Sequence, residues 1–349
     1  MTDTDDRSSS TFRLRTPVAF LIYNRPEYTT RVFAEIARAR PPKLLIVADG
    51  PRPNKQGDRE KCTAARAVIQ QVDWHCEVVT NFAETNLGCR RRVSSGLDWV
   101  FATVDQAIIL EDDCLPNQSF FRFCEDLLVR YEDDERVMHV SGDNFLLGHR
   151  PCETSYYFSR YPHTWGWACW RRAWRHYDVD MKVWSTTKNK ERYLEPCATK
   201  SEKEFWKSMW NMVCAYKIDT WDYQWAFACL ARKGISIMPA VNLVSNIGFS
   251  SGATHTVSES PVANLPVSNI EFPLKHPKNF AWFDEADDLT RRQFFGYPWS
   301  LRVISKLSRF LNPRTLRVIN KLSRFLNPIG NRRRKEISVR RLDRRRISA

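Results

Sequence analysis

Residues 107–116 run Ala107-Ile108-Ile109-Leu110-Glu111-Asp112-Asp113-Cys114-Leu115-Pro116. Four apolar residues suffice for a short strand buried on both faces, the kind found in parallel sheets. Three carboxylates follow without a break, and like charges at that spacing repel. A divalent cation relieves the repulsion, and hard carboxylate oxygens suit Mg²⁺ or Mn²⁺. Such ions keep several waters and accept the phosphates of a substrate, where they stabilise charge on a leaving group. The stretch therefore predicts a strand ending in a metal-assisted diphosphate site. A solvated acidic turn is the plainer alternative, which the flanking apolar residues disfavour.

The pattern continues towards the N-terminus. Pro17–Tyr23 is an apolar run ending at Asn24-Arg25-Pro26, Leu44–Ala48 ends at Asp49-Gly50-Pro51, and Glu77–Thr80 reads as a further strand. Between them, Tyr28–Arg40, Arg59–Gln71 and Arg90–Val104 have helical spacing, the last with Val93, Leu97 and Val100 on one face. Apolar strands alternating with helices predict an α/β fold, its central sheet mostly parallel and covered by helices on both faces. Ligands of such sheets bind beyond the carboxyl ends of the strands. Three of those ends carry Arg25, Asp49 and Asp113.

The second half differs in composition. Nine of the thirteen tryptophans lie between Trp165 and Trp225. Strands are expected at Arg136–Ser141, Ser155–Ser159 and Ile235–Pro239, and helices at Trp170–Tyr177, Glu202–Ala215 and Tyr223–Arg232. Aromatic faces pack well on sugar C–H faces, so the region suits a sugar-binding cleft, with ordinary aromatic core as the equal alternative.

The 349-residue chain carries a formal charge of +14. Residues 300–349 hold 16 Lys and Arg against Glu336 and Asp343, so the rest is formally neutral. The charge belongs to an appendage, and no nucleic-acid-binding motif accompanies it, so no specific nucleic-acid partner is expected. Residues 301–313, LRVISKLSRFLNP, recur as LRVINKLSRFLNP at 316–328. In each copy apolar residues share one helical face and Lys and Arg the other, as in helices that lie on anionic membrane surfaces. A hairpin packed on the body is the alternative. Residues 1–10, MTDTDDRSSS, are acidic and polar and not a signal peptide, and residues 1–15 read as a disordered leader. No apolar run approaches the ~20 residues of a membrane helix. The ten cysteines form no Cys-x-x-Cys pair and are expected as reduced thiols in a cytoplasmic protein, peripheral on the inner face of the membrane.

The motifs Ile22–Pro26, Val47–Gly50, Asn86–Gly88 and Ile109–Pro116, then His139–Asn144, Trp165–Trp174, Thr220–Trp225 and Gly252–Thr256, come in an order with a known counterpart. That order resembles GT-A nucleotide-sugar glycosyltransferases, in particular N-acetylglucosaminyltransferase I and bacterial family-2-like relatives. The resemblance implies the GT-A (Rossmann-like) nucleotide-diphospho-sugar transferase fold. Residues 16–145 would form its nucleotide-sugar-binding half, residues 146–299 a Trp-rich acceptor-binding and catalytic half, and residues 300–349 the basic amphipathic tail. It implies that Arg25 contacts the diphosphate, Asp49 accepts the uracil N3–H, and Glu111 and Asp112 contact the sugar or ribose. Asp113 would bind Mn²⁺ or Mg²⁺ directly, with His255 as a second ligand. Asn86 and Gly88 would shape a turn beside the sugar, Arg90 would steer the diphosphate, Trp167 would pack on substrate, and Asp222 would be the general base.

Each of these residues also has a structural role open to it. Arg25 can pair with an acid, Asp49 can start the Asp-Gly-Pro turn, Asp222 can cap the following helix, and Arg90 and His255 can sit on a solvated surface. The functional expectation is inverting transfer from a UDP-sugar to a glycan or lipid-linked glycan, in cell-surface polysaccharide or lipopolysaccharide synthesis. A sugar-phosphate nucleotidylyltransferase is the rival within the fold. Such enzymes carry a Gly-rich loop after the first strand, where this chain has Ile22–Tyr28 with no glycine. The other alternative is a nucleic-acid- or membrane-binding protein acting through its tail.

Overall fold

The apolar runs become strands in a computed structural model that describes residues 12–249 and 262–294. The first half is a series of strand–helix units: β1 (Val18–Ile22), α1 (Pro26–Ala39), β2 (Lys43–Ala48), α2 (Asp58–Ala67), β3 (Glu77–Phe82), α3 (Gly88–Thr103) and β4 (Gln106–Glu111). There follow β5 (Cys114–Pro116), α4 (Gln118–Arg130), β6 (Val137–Ser141), β7 (Tyr156–Ser159), β8 (Trp167–Trp170) and α5 (Arg171–Trp174). The remainder is α6 (Lys182–Thr186), α7 (Lys200–Cys214), α8 (Asp222–Ala231), β9 (Ile235–Pro239), β10 (Val244–Asn246) and α9 (Asp284–Phe294).

Eight strands form one sheet in the order β3-β2-β1-β4-β8-β6-β9-β7. The β3-β2-β1-β4 half is all parallel. β8 runs antiparallel to both β4 and β6, β6 and β9 are parallel, and β7 closes the edge antiparallel to β9. Because β8 lies between β4 and β6, the segments on either side of residue 145 share this sheet. β1 and β4 have neighbours on both sides and helices on both faces, which explains their unbroken apolar sequence. Val18, Phe20 and Ile22 pack with α1 and α4, while Ala19 and Leu21 face Val93, Leu97 and Val100 of α3. Gly96 of α3 lets helix and strand meet closely, since a Cβ there would lie 2.4 Å from Val47 Cγ1.

Trp167 belongs to the second of these layers and not to a substrate cleft. Its side chain is fully buried. It stacks on Trp221 at 5.7 Å and on His139 at 5.0 Å, and Trp174 and Trp225 pack against it. Burial pushes the His139 imidazole down to about 3, so the ring is neutral, and its Nδ1 accepts the indole N–H of Trp225 at 3.1 Å. The helix expected over residues 170–177 is correspondingly short: Trp167–Trp170 is a strand, followed by one helical turn.

The leader expected over residues 1–15 ends earlier among the described residues. Leu14 is buried, and the Arg15 and Thr16 N–H groups donate to Glu125 at 2.6 and 2.7 Å. At the other end, α9 is fastened to the edge strand. Asp287, itself buried, accepts from the Ser159 hydroxyl at 2.6 Å and the Arg160 guanidinium at 2.9 Å. Arg160 also pairs with Asp284. The ten cysteines are all free. No helix among the described residues is long and apolar enough to cross a membrane. The chain divides into Met1–Arg291 and Arg292–Ala349, and His255 and the 300–349 tail lie outside the described residues.

Truncating a fully buried indole removes packing that its neighbours cannot refill. Trp167→Ala should cost about 3–5 kcal/mol, read as a lower denaturant midpoint. An unchanged midpoint would return Trp167 to the surface of a cleft.

Candidate active site

Because β1 to β4 are parallel, their carboxyl ends open on one side of the sheet. A cavity of about 360 Å³ lies there, lined by residues that follow all four strands. Tyr23 and Arg25 come from the end of β1, Asp49 and Arg52 from beyond β2, Asn86 and Gly88 from beyond β3, and Glu111, Asp112 and Asp113 from β4 and its turn. The opposite wall is Trp165, Asp219, Asn246, Gly248 and Phe249. Arg25, Asp49, Asn86, Gly88 and the three acids thus share one cavity, while Arg90, Trp167 and Asp222 do not line it.

The acidic turn is held from both sides. β5 pairs antiparallel with β10, and the Ile247 N–H donates to the Asp113 carbonyl at 2.8 Å. Gly248 sits against the Asp113 side chain, where a Cβ would come within 2.2 Å of Oδ2. The Asp112 carboxylate accepts the Tyr23 N–H at 3.2 Å. Among the described residues Arg25 is the cation in contact with the group, with Nη1 at 2.9 Å from Asp113 Oδ2. One guanidinium does not balance three carboxylates. Burial, then Asp113 and Asp112, raise Glu111 well above the ordinary carboxylate range, and burial and Asp113 push Asp112 up to about 7. The donor set therefore fits a hard divalent cation. Among the described residues no three His, Cys, Asp or Glu side chains gather around one metal position.

Asp49 spends its carboxylate on the protein. Oδ1 accepts the N–H groups of Gly50 at 2.8 Å and Leu87 at 2.9 Å, and Oδ2 accepts the Asn86 amide at 2.8 Å and the Gly88 N–H at 3.2 Å. Those four bonds occupy its acceptor sites, so the group expected to take a base N–H is engaged in holding the 86–88 turn.

Arg90 does not reach the cavity. Its buried guanidinium donates to the carbonyls of Val213 at 2.9 Å and Val179 at 2.6 Å, joining α3 to the end of α7. Asp222, the first residue of α8, accepts through Oδ1 from Tyr223 N–H at 3.0 Å and from the Thr220 hydroxyl. It is half-buried and close enough to Glu111 for their charges to repel.

Three groups in or behind the cavity escape the sequence reading. Asp219 accepts the Cys89 and Arg90 N–H groups at 3.2 and 2.9 Å, capping α3 from 130 and 129 residues away. Gly88 makes room for it with a left-handed backbone (φ +78°), since a Cβ there would lie 2.9 Å from Asp219 Oδ2. Buried Asp58 gathers Tyr23 OH, Asn24 and Arg52, and the Arg52 guanidinium, helped by the other hydrogen bonds and opposed by burial, sets its pKa well below the carboxylate range. Trp165, not Trp167, is the tryptophan in the cavity, edge-on to Phe249 and Phe145.

No family model matches the chain, and no curated protein matches its sequence. Among solved structures the chain is similar to a mannosyltransferase from Pyrobaculum calidifontis in complex with GDP-Man and Mn²⁺. The identity is 12% over 63% of this chain and 70% of that one, with a TM-score of 0.36. Mouse xyloside xylosyltransferase 1, in apo form, aligns at 11% identity over 62% of this chain and 82% of its own, TM-score 0.29. A UDP-glucose pyrophosphorylase complexed with UDP-glucose aligns at 10% over 42% of this chain and 62% of its own, TM-score 0.24.

The Asp112 shift has a definite sign. Folded Asp112 keeps its proton to about pH 7, whereas the unfolded chain releases it near the ordinary aspartate value of 3.8. The unfolded state therefore binds fewer protons in that window, and this group weakens folding as pH rises through it. Mn²⁺ should raise the melting temperature by several degrees at pH 8 and by far less at pH 5, where protons occupy Glu111 and Asp112. Equal gains at both pH values, in thermal melts with and without Mn²⁺, would place the metal elsewhere.

Proposed function

We propose that this protein is a metal-dependent, inverting glycosyltransferase. Its donor is a UDP-sugar and its acceptor a glycan or lipid-linked glycan, in cell-surface polysaccharide or lipopolysaccharide synthesis. The observation that carries the reading is the carboxylate turn 111–113 at the end of a buried parallel strand, paired with Arg25 in a cavity sized for a small ligand. The motif order resembling N-acetylglucosaminyltransferase I and family-2-like enzymes supports it. When bound at Asp113, Mn²⁺ or Mg²⁺ supplies positive charge against a departing diphosphate.

The chain's own residues supply the rest. Arg25, released from Asp113 by competition for that carboxylate, turns its guanidinium to phosphate oxygens, which it binds through paired N–H groups. Asp222 takes the proton from the acceptor hydroxyl, help that contributes about 10²–10⁴-fold. Its Oδ1 is held by Thr220 and Tyr223, which leaves Oδ2 for that proton. Trp165 presents an aromatic face or edge to the sugar, and His255 is proposed as a further metal ligand.

Asp222→Asn should lower transfer by at least 10²-fold with nucleotide affinity unchanged. Asp113→Ala should abolish the Mn²⁺-dependent part of UDP binding in calorimetry. Normal turnover in the first variant, or unchanged Mn²⁺-dependent affinity in the second, overturns the corresponding role.

Residues 300–349 are proposed to hold the enzyme on the cytoplasmic face of an anionic membrane, beside a lipid-linked acceptor. Each basic residue near such a surface contributes about 1 kcal/mol, so a few engaged side chains suffice. Deleting the tail should abolish co-sedimentation with phosphatidylserine vesicles and leave soluble nucleotide binding intact. Sedimentation that survives the deletion removes the tail from this role.

A further inference from the structure

The nucleobase needs an acceptor for its ring N–H, and Asp49 has none to give. Its four hydrogen bonds go to the backbone of Gly50, Leu87 and Gly88 and to the Asn86 amide. We infer that the Asn86 side-chain carbonyl reads the base, accepting the ring N–H of a lactam base such as uracil, thymine or guanine. The inference rests on the nucleotide-sugar reading and names the specificity residue within it.

The hydrogen-bond accounting fixes the orientation of the Asn86 amide. Nδ2 lies 2.8 Å from Asp49 Oδ2 and 3.2 Å from the Gly50 carbonyl, both pure acceptors, so the NH₂ group must occupy that side. Both of its protons are thereby used. Oδ1 is turned the other way. It accepts no hydrogen bond among the described residues and is not one of their buried unpaired atoms, so it opens onto the cavity that Asn86 lines. The result is a neutral acceptor held rigid by a buried carboxylate. Gly50 makes this fit possible, because a Cβ there would meet the Thr85 backbone at 2.4 Å.

The position suits a base. Sheet order places β1 and β2 between β4, which carries the acidic turn, and β3, which leads to Asn86. Three strand spacings amount to about 14 Å, a span that a nucleoside diphosphate bridges when its phosphates meet Asp113 and Arg25. Beside this path, Arg52 lies over the Tyr23 ring at 5.5 Å, a flat surface for the nucleoside.

A site built to hydrogen-bond a ligand N–H rejects the analogue that lacks it, because the protein acceptor is left unpaired. The test is calorimetry on the full chain with Mn²⁺, using UDP, dTDP and GDP and the forms of each methylated at the ring N–H. The wild type should bind its preferred nucleotide at least tenfold tighter than the methylated form. Asn86→Ala should bind both equally, at the weaker affinity, and the unchanged binding of the methylated ligand shows that the rest of the site is intact. Should the alanine variant fail to fold, Asn86→Ser serves the same comparison. Discrimination that persists without Asn86 overturns the inference and leaves the parent reading standing. Failure of the wild type to bind any of the three nucleotides defeats the parent reading as well.

Discussion

Three consecutive carboxylates close a buried strand, and one guanidinium faces them. Most of the surrounding structure answers that imbalance. The β5–β10 ribbon fixes the acidic turn from one side, the Tyr23 N–H steadies Asp112 from the other, and Gly248 gives up a side chain so that Asp113 can lie against backbone. None of these contacts neutralises the charge, and Glu111 and Asp112 respond by holding protons above their usual range. A group kept in this state has a high demand for an added cation, which a carboxylate spread over solvated surface would lack.

The parallel half of the sheet was legible because its causes are local. β1 and β4 are buried on both faces, so their apolar runs are continuous, and the residues that end them are polar because they leave the sheet. The antiparallel half was harder to read. Trp165 and Trp167 are two residues apart and would share a face of a regular strand. Gly166 between them takes a left-handed conformation (φ +65°), which breaks the alternation, so one indole reaches the cavity and the other the core. Nothing in the spacing alone separates a substrate-facing tryptophan from a packing one.

The site residues divide the same way. Arg25, Asp49 and Asp113 share the cavity because each follows the carboxyl end of a parallel strand, a position the local sequence pattern marks. Arg90 and Asp219 were misjudged or missed because their partners are distant in sequence: Arg90 reaches Val213, and Asp219 reaches back to Cys89 and Arg90. A charged residue at a helix start reads equally well as a phosphate contact or a tertiary clamp until the opposing segment is known. Asp49 shows a subtler limit. Its place in the cavity was correct, but its acceptor capacity was already committed to the turn beside it, and only a count of hydrogen bonds reveals that.

The fastening of α9 has a mechanical consequence. Anything that takes hold of the chain beyond residue 294 pulls first on this helix, and the helix is secured by Asp287 buried on Ser159 of the edge strand and on Arg160, which follows it. Separating that pair would strand an arginine in the interior without its counter-charge, which is costly. A tether applied there therefore loads a strong point of the body, the buried ion pair that joins α9 to the end of the edge strand.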